Sequence, residues 1–184
     1  AMRTSGREPI ELKRPVRALM VPSGDEYTLE AGFSGVITQQ LGRSYTVFID
    51  GSLFRIDGAD ADAIGKEPIP AKVYPEHPTD EEVKALVWDE LRATYDPEIP
   101  ISIVELGLVY LCEFKPLPSG GLHVLIQMTV TAPGCGMGEQ LMREVAELME
   151  RIPRIDDFKV EMVFWPPWNM SMMSEAARLQ MGMM

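Results

Sequence analysis

The stretch TVTAPGCGMGEQLM, residues 129–142, contains the end of an apolar run, a Pro-Gly turn and the start of a helical pattern. The run before it, LHVLIQMTVT, is typical of a strand. After the turn, apolar residues recur at i, i+4, i+7 and i+11, namely Leu141, Val145, Leu148 and Ile152. Because strand periodicity gives way to helical periodicity within a few residues, the stretch predicts a strand–turn–helix unit with Cys135 at the start of the helix.

The pattern around this unit predicts an α+β domain. Thr79 and Glu82 form a capping-box signature, and apolar residues at helical spacing follow it to about Ala93. The stretch YDPEIP ends that helix, because proline disfavours helical dihedrals in the residue before it. LGLVYLCEF, LHVLIQMTVT and FKVEMVFW read as strands. The order helix-strand-strand-helix-strand predicts helices on one face of a small sheet.

The residues before this domain are predicted to be β-rich. Val47 and Ile49 alternate with polar neighbours, and Asp50-Gly51 is suited to a type I′ turn. Short strands at this spacing predict a barrel-like or meander subdomain. The proline-rich stretch EPIPAKVYPEHP then favours an extended connector. The predicted organisation is a loose N-terminus (1–7), a β-rich subdomain (8–66), a connector (67–78), the α+β domain (79–165) and a Met/Trp-rich tail (166–184), in which Ser174 is placed to cap a short helix.

The composition excludes several classes of function. The 184 residues carry a net charge of −11, which disfavours binding to nucleic acid or to anionic lipid. No stretch approaches the ~18 uninterrupted apolar residues of a membrane span. The N-terminus lacks the apolar region of a signal peptide, so a cytoplasmic location is expected. In that reducing compartment the two cysteines, Cys112 and Cys135, are expected to be free thiols.

Cys135 has three interpretations: a small residue that fills a tight turn, a catalytic nucleophile, or a metal ligand. A position at a helix N-terminus favours the thiolate and lowers the pKa of the thiol. Gly134 and Gly136 leave room for a partner to approach. A nucleophile needs a nearby base, but His123 opens the preceding strand, ~26 Å away at ~3.3 Å per residue. His77 lies in the connector, so a Cys–His enzyme is the weaker interpretation.

The remaining candidate residues have structural as well as functional interpretations. Cys112 alternates in phase with Leu108, Tyr110 and Phe114, which predicts a core cysteine. Asp96 and Glu98 are held between prolines, either as a helix stop in which Asp96 binds backbone N–H groups or as carboxylates beside a metal or thiolate. The tail is expected to pack, to be disordered, or to offer an adaptable methionine surface to partners.

DPEIPISIVELGLVY, followed downstream by TVTAPGCGMG, resembles the iron–sulfur cluster assembly domain family, which is marked by an Asp-Pro-Glu motif and a downstream reactive cysteine. The resemblance covers residues 79–165. The β-rich leader and the ending WPPWNMSMMSEAARLQMGM resemble the SufT-type branch, so that the match extends over nearly the whole chain. Many members have proline after the cysteine, where this chain has Gly136.

This resemblance implies an accessory or carrier factor in the maturation of iron–sulfur proteins, not an enzyme. The family's reactive cysteine falls on Cys135 and its acidic motif on Asp96, Pro97 and Glu98, while Thr131 matches a threonine or serine often present there. We expect a transient iron–sulfur cluster on Cys135, with Glu98 as a candidate further ligand and no tightly bound cofactor. The expected partners are apo client proteins, assembly scaffold or carrier proteins and a second copy in a homodimer. The alternatives are a PaaD-like accessory protein for one oxygenase complex and a cysteine-dependent thiol enzyme.

Overall fold

A computed structural model describes residues 7–96, 99–132 and 137–182, except the side chain of Met137. The chain divides into two compact units, residues 1–72 and 73–184. The division falls within the proline-rich connector, in which residues 67–78 form neither helix nor strand. The predicted domain limits on either side of it stay a prediction.

The first unit is a six-stranded antiparallel sheet in the order β1-β4-β5-β6-β2-β3. Its strands are β1 (Glu8–Glu11), β2 (Val16–Val21), β3 (Glu26–Leu29), β4 (Ser34–Leu41), β5 (Ser44–Ile49) and β6 (Ser52–Asp57). Within the described residues β1 and β3 are the edges, so the sheet is not closed and the barrel alternative is wrong. Neighbours in sequence pair through β4, β5 and β6, as in the predicted meander.

The hairpin between β5 and β6 has the predicted turn. Asp50 and Gly51 have φ values of 53° and 82°, the two positive φ angles that a type I′ turn requires. This turn sets the register that pairs Ile49 with Ser52. Val47 and Ile49 consequently face the core of the unit and are 0% and 2% exposed.

The second unit has the predicted order of elements. They are α1 (Asp80–Arg92), β7 (Val109–Pro116), β8 (Leu122–Met128), α2 (Met137–Arg151), β9 (Ile155–Met162) and, beyond the prediction from periodicity, a short α3 (Glu175–Gln180) in the tail. β7 pairs with β8 antiparallel, and β8 pairs with β9 parallel. Because parallel strands need a crossover connection, α2 crosses between β8 and β9. The α+β prediction is confirmed.

Local sequence explains where the helices begin and which face each one buries. The Thr79 side chain accepts a hydrogen bond from the backbone N–H of Glu82, and the Glu82 carboxylate accepts from the Thr79 N–H, as the capping box predicts. Ser174 caps α3 by accepting from the backbone N–H of Ala177. The predicted stripe of α2 is buried in the core, together with Val83, Val87 and Leu91 of α1. None of the helices in the described residues has the length and apolar character to cross a membrane.

Candidate functional site at one end of the second sheet

Three loops leave the second sheet at the same end. Val109, the first residue of β7, and Met162, the last of β9, both pair with Met128, the last of β8. The connection continues past the strands, since the Thr129 N–H donates to the Leu108 carbonyl at 2.8 Å. Three segments therefore meet at this end of the sheet: the loop that follows the acidic motif, the loop that leads towards Cys135, and the C-terminal tail.

The acidic motif begins in a tight hairpin, the Asp96 loop, described at residues 94–96 and 99–103. The Ile103 N–H donates to the Thr94 carbonyl at 2.8 Å, and the Asp96 N–H donates to the Ile101 carbonyl at 3.3 Å. Asp96 Oδ1 accepts from the Ile99 N–H at 3.0 Å. Asp96 is 6% exposed, so its side chain is buried within the loop that this hydrogen bond holds together. This contact fits the backbone-binding interpretation of Asp96, while Pro97 and Glu98 lie outside the described residues.

A helical turn carries the chain from this loop into β7. Ser102 starts it: its Oγ accepts from the Glu105 N–H at 3.2 Å, and its carbonyl accepts from the Leu106 N–H at 2.9 Å. Gly107 ends the turn at a φ of 77°, the left-handed conformation that usually ends a helix at glycine. Residues 102–107 are called the Ser102 turn. Ser102 fixes its beginning and Gly107 fixes its end.

The loop after β8 contains the predicted support residue Thr131, which is half-buried. Gly138, in the first turn of α2, packs closely on this loop: a Cβ there would lie 3.2 Å from Val130 Cγ1. Gly138 therefore allows the helix to approach the end of the strand. Gly134, Cys135 and Gly136 lie outside the described residues, so the expected low pKa of the Cys135 thiol stays a prediction.

Helix α2 begins at Met137, two residues after Cys135 in the sequence, as the strand–turn–helix pattern predicts. The other cysteine differs in chemistry. Cys112 pairs with Ile126 inside the sheet, is half-buried, and packs against the core of the unit. Burial raises the pKa of the Cys112 thiol to about 11, so it is protonated at neutral pH and a poor nucleophile. Cys112 is more exposed than the predicted core cysteine, because β7 is an edge strand.

Neither histidine is described near this end of the sheet. His123 pairs with Lys115 and lies near the start of β8, whereas the loop towards Cys135 follows its last residue, Met128. His123 Nε2 lies 3.5 Å from a carboxylate oxygen of Asp157. His77 is exposed in the connector. The interpretation of His123 as a strand-start residue agrees with this placement.

Sequence reasoning missed that the C-terminal tail docks at this end of the sheet. Met173 and Ala177 are 5% and 1% exposed and belong to the core of the second unit. The Tyr110 hydroxyl donates to the Pro166 carbonyl at 2.7 Å, and burial raises the pKa of Tyr110. Of the alternatives for the tail, packing is correct for its described residues. The available signal was Ser174, whose capping position predicts an ordered helix.

A preformed metal centre is not seen in the described part of the chain, where no three His, Cys, Asp or Glu side chains are grouped so as to hold an ion. The two ligands expected from the sequence, Cys135 and Glu98, both lie outside that part.

Residues 84–162 match the model of a family described as iron–sulfur cluster assembly protein. A protein of Staphylococcus aureus named Fe-S protein maturation auxiliary factor SufT is 40% identical over 47% of this chain and 94% of its own length. The chain belongs to the iron–sulfur cluster assembly protein family. Two further members are similar, both named Fe-S protein maturation auxiliary factor: one of Porphyromonas gingivalis, at 37% identity over 50% of this chain and 84% of its own length, and YitW of Bacillus subtilis, at 33% over 56% and 97%.

The recognition of a SufT-type family member is confirmed by these relatives. Their alignments cover about half of this chain, less than the nearly complete match expected from the flanks, and the family model begins after the β-rich unit. A solved structure of a domain of unknown function from Bacillus anthracis is 30% identical, covers 56% of this chain and 95% of its own, and superposes with a TM-score of 0.47.

Proposed function

We propose that this protein is an accessory or carrier factor in the maturation of iron–sulfur proteins and that it acts through Cys135. The observation that carries the proposal is the 40% identity to a protein named Fe-S protein maturation auxiliary factor SufT, over 94% of that protein. The relatives from two other bacteria bear the same description. We place the activity at the Asp-Pro-Glu motif and the downstream Cys135, which lie within the matched residues 84–162.

The ligand chemistry favours transfer of a cluster over storage. Iron–sulfur clusters are usually held by four thiolates. Cys112, with its pKa raised to about 11, is a poor thiolate donor, which leaves Cys135 as the single good ligand. A cluster bound by Cys135 from each of two chains, with Glu98 or solutes completing the coordination, is held weakly enough to be released. We therefore propose a homodimer that carries the cluster as cargo, with no resident cofactor and no catalytic turnover.

The proposed partners follow from this chemistry. They are apo iron–sulfur client proteins and the scaffold or carrier proteins that supply them. A net charge of −11 opposes binding to nucleic acid. The cytoplasm suits a protein that works through a free thiol, because thiols persist in a reducing compartment.

The test is a survey of several unrelated iron–sulfur enzymes in a deletion strain, with and without the wild-type gene. A general loss of cluster-enzyme activity, restored by the gene, is the expected result. Loss confined to one oxygenase complex contradicts a general role and favours the PaaD-like alternative.

Cluster binding has its own test, anaerobic reconstitution of the purified protein followed by visible absorption. Cys135→Ala is expected to abolish the cluster absorption, whereas the matched variant Cys112→Ala retains it. Light scattering on the same samples is expected to give the mass of a dimer. An unchanged spectrum in Cys135→Ala contradicts the ligand role and leaves Cys135 as a residue that holds a partner or protects a client site.

A further inference from the structure

The C-terminal strap, defined as residues 166–182, lies across the Ser102 turn and is hydrogen-bonded to it at two points. The indole N–H of Trp168 donates to the Leu106 carbonyl at 2.7 Å. The Ser174 N–H donates to the Glu105 carbonyl at 2.8 Å, and the Ser174 hydroxyl donates to the Glu105 carboxylate. Both contacts join residues more than 60 positions apart in the sequence, so the strap connects the end of the chain to the segment after the acidic motif.

Apolar packing and close backbone contact hold the strap in this place. Met173 and Ala177 are buried in the core of the second unit, while exposed Met170 and its neighbours face away. The Met172 carbonyl oxygen lies so close to Gly107 that a Cβ on Gly107 would be 2.3 Å from it. The absence of a side chain at Gly107 is thus a condition for the strap to dock.

The last residue of α3 reaches the Asp96 loop itself. The Gln180 side-chain amide donates to the Pro100 carbonyl at 3.1 Å. Pro100 lies between Ile99 and Ile101, whose N–H and carbonyl are the two groups bonded to Asp96. A contact on Pro100 therefore acts directly on the backbone that orients Asp96.

The segment under the strap has no regular secondary structure. Its described residues 94–96 and 99–108 form one isolated bridge and a turn, with no strand or helix. Irregular segments open more readily than helices and paired strands. Local hydrogen bonds hold the Asp96 loop and the Ser102 turn, and the contacts from Trp168, Ser174 and Gln180 attach this irregular segment to the strap as well.

We propose that the C-terminal strap positions the Asp96 loop, and that Trp168, Ser174 and Gln180 are the positioning residues. The proposal rests on the proposed function for its biological consequence, since the Asp96 loop begins the acidic motif of the family. The tail then contributes to the site, although it lies beyond the matched family region, which ends at residue 162.

Amide hydrogen exchange on the full chain tests the positioning directly. Trp168→Phe keeps an aromatic ring but removes the donor to Leu106, and about tenfold faster exchange is expected in peptides covering residues 99–108, as for loss of one hydrogen bond. The matched control is Trp165→Phe, because Trp165 immediately precedes the strap and is 83% exposed. Equal exchange in these two variants and the wild type overturns the proposal.

Gln180 and Ser174 provide independent variants. Gln180→Glu keeps the shape of the side chain and loses the amide donor to Pro100, so it is expected to accelerate exchange in the Asp96 loop. Ser174→Ala removes the hydroxyl bonded to Glu105, and Ser174→Thr retains it. If exchange is faster in Ser174→Ala and equally fast in Ser174→Thr, the result contradicts a positioning role for the hydroxyl.

Complementation of client-enzyme activity in the deletion strain separates this proposal from the proposed function. The four strap variants are expected to lose activity in the same rank order as their exchange rates increase, with Ser174→Thr close to wild type. Faster exchange at full client activity overturns the proposal that the positioned loop serves client maturation, and it leaves the proposed function intact. If the wild-type gene restores no client enzyme, the proposed function fails, and exchange alone decides whether the strap positions the loop.

Discussion

Gly107→Ala is predicted to destabilise the second unit by an amount that measures how tightly the strap is docked. Gly107 has a φ of 77°, and an added Cβ would lie 2.3 Å from the Met172 carbonyl oxygen and 2.9 Å from its carbonyl carbon. Contacts this short do not occur for real Cβ atoms. The neighbour is backbone and cannot rotate away, so either the Ser102 turn or the strap must move.

The expected cost has two parts. Placing alanine in the left-handed conformation costs about 1–2 kcal/mol. Inserting a methyl group into a filled space adds about 1–3 kcal/mol. Gly120→Ala is the matched control, since Gly120 also has a positive φ, 88°, but has nothing within 4 Å of an added Cβ. Gly120→Ala is therefore expected to cost about 1–2 kcal/mol and Gly107→Ala about 2–5 kcal/mol.

Urea unfolding followed by tryptophan fluorescence measures both changes. The three tryptophans, Trp88, Trp165 and Trp168, all belong to the second unit, so the signal reports on that unit alone. The midpoint of unfolding is expected to fall further for Gly107→Ala than for Gly120→Ala. Equal midpoints would refute the close docking of Met172 on Gly107.

Three further predictions concern stability and the second cysteine. Thr79→Ala removes the cap of α1 and is expected to lower the free energy of unfolding by about 1 kcal/mol in the same assay; an unchanged value contradicts the capping box. Leu141→Ala, at 1% exposure, is expected to cost about 2–5 kcal/mol, whereas Leu179→Ala, at 54% exposure, stays within about 0.5 kcal/mol; similar costs would place Leu141 outside the core. Because burial raises the pKa of Cys112 from 9.0 to about 11, the folded chain holds this proton more tightly than the unfolded chain, and stability is expected to fall between those pH values. The fall should be smaller in Cys112→Ala, because Tyr110, whose pKa is also raised by burial, still contributes; identical pH profiles would contradict the raised pKa of Cys112.

The second unit could be predicted from periodicity because its signals are local. The capping pair Thr79 and Glu82 lies at the start of α1, and the stripe from Leu141 to Ile152 follows α2 to the residue just past its end; the structure confirms both. The spacing of apolar residues along a helix shows which face the helix buries. The element order then followed from the sequence alone.

Features that depend on distant contacts could not be predicted in this way. Alternation identified strands such as β5 but gave no sign of whether β1 and β3 meet, so the open sheet of the first unit differs from a barrel. The docking of the strap depends on Trp168, Ser174 and Gln180 meeting residues more than 60 positions earlier. Composition marks such a tail as methionine-rich without indicating what it covers.

Cys112 shows that alternation predicts which face of a strand is buried but not how deeply a residue on that face is buried. Its phase with Phe114 correctly indicated the core face of β7, because both side chains pack against the core of the unit. Cys112 is half-buried because β7, among the strands that the structure describes, pairs only with β8 and forms an edge of the sheet. Strand position within the sheet, which the sequence does not encode locally, therefore modifies the burial that alternation predicts.

The central claim is that Cys135 carries the function and Cys112 does not. The most direct measurement is the activity of several unrelated iron–sulfur enzymes in the deletion strain, complemented with wild type, Cys135→Ala or Cys112→Ala at equal protein levels. We expect Cys112→Ala to restore these activities as the wild type does and Cys135→Ala to fail to restore them, as this claim requires. Full restoration by Cys135→Ala would contradict it.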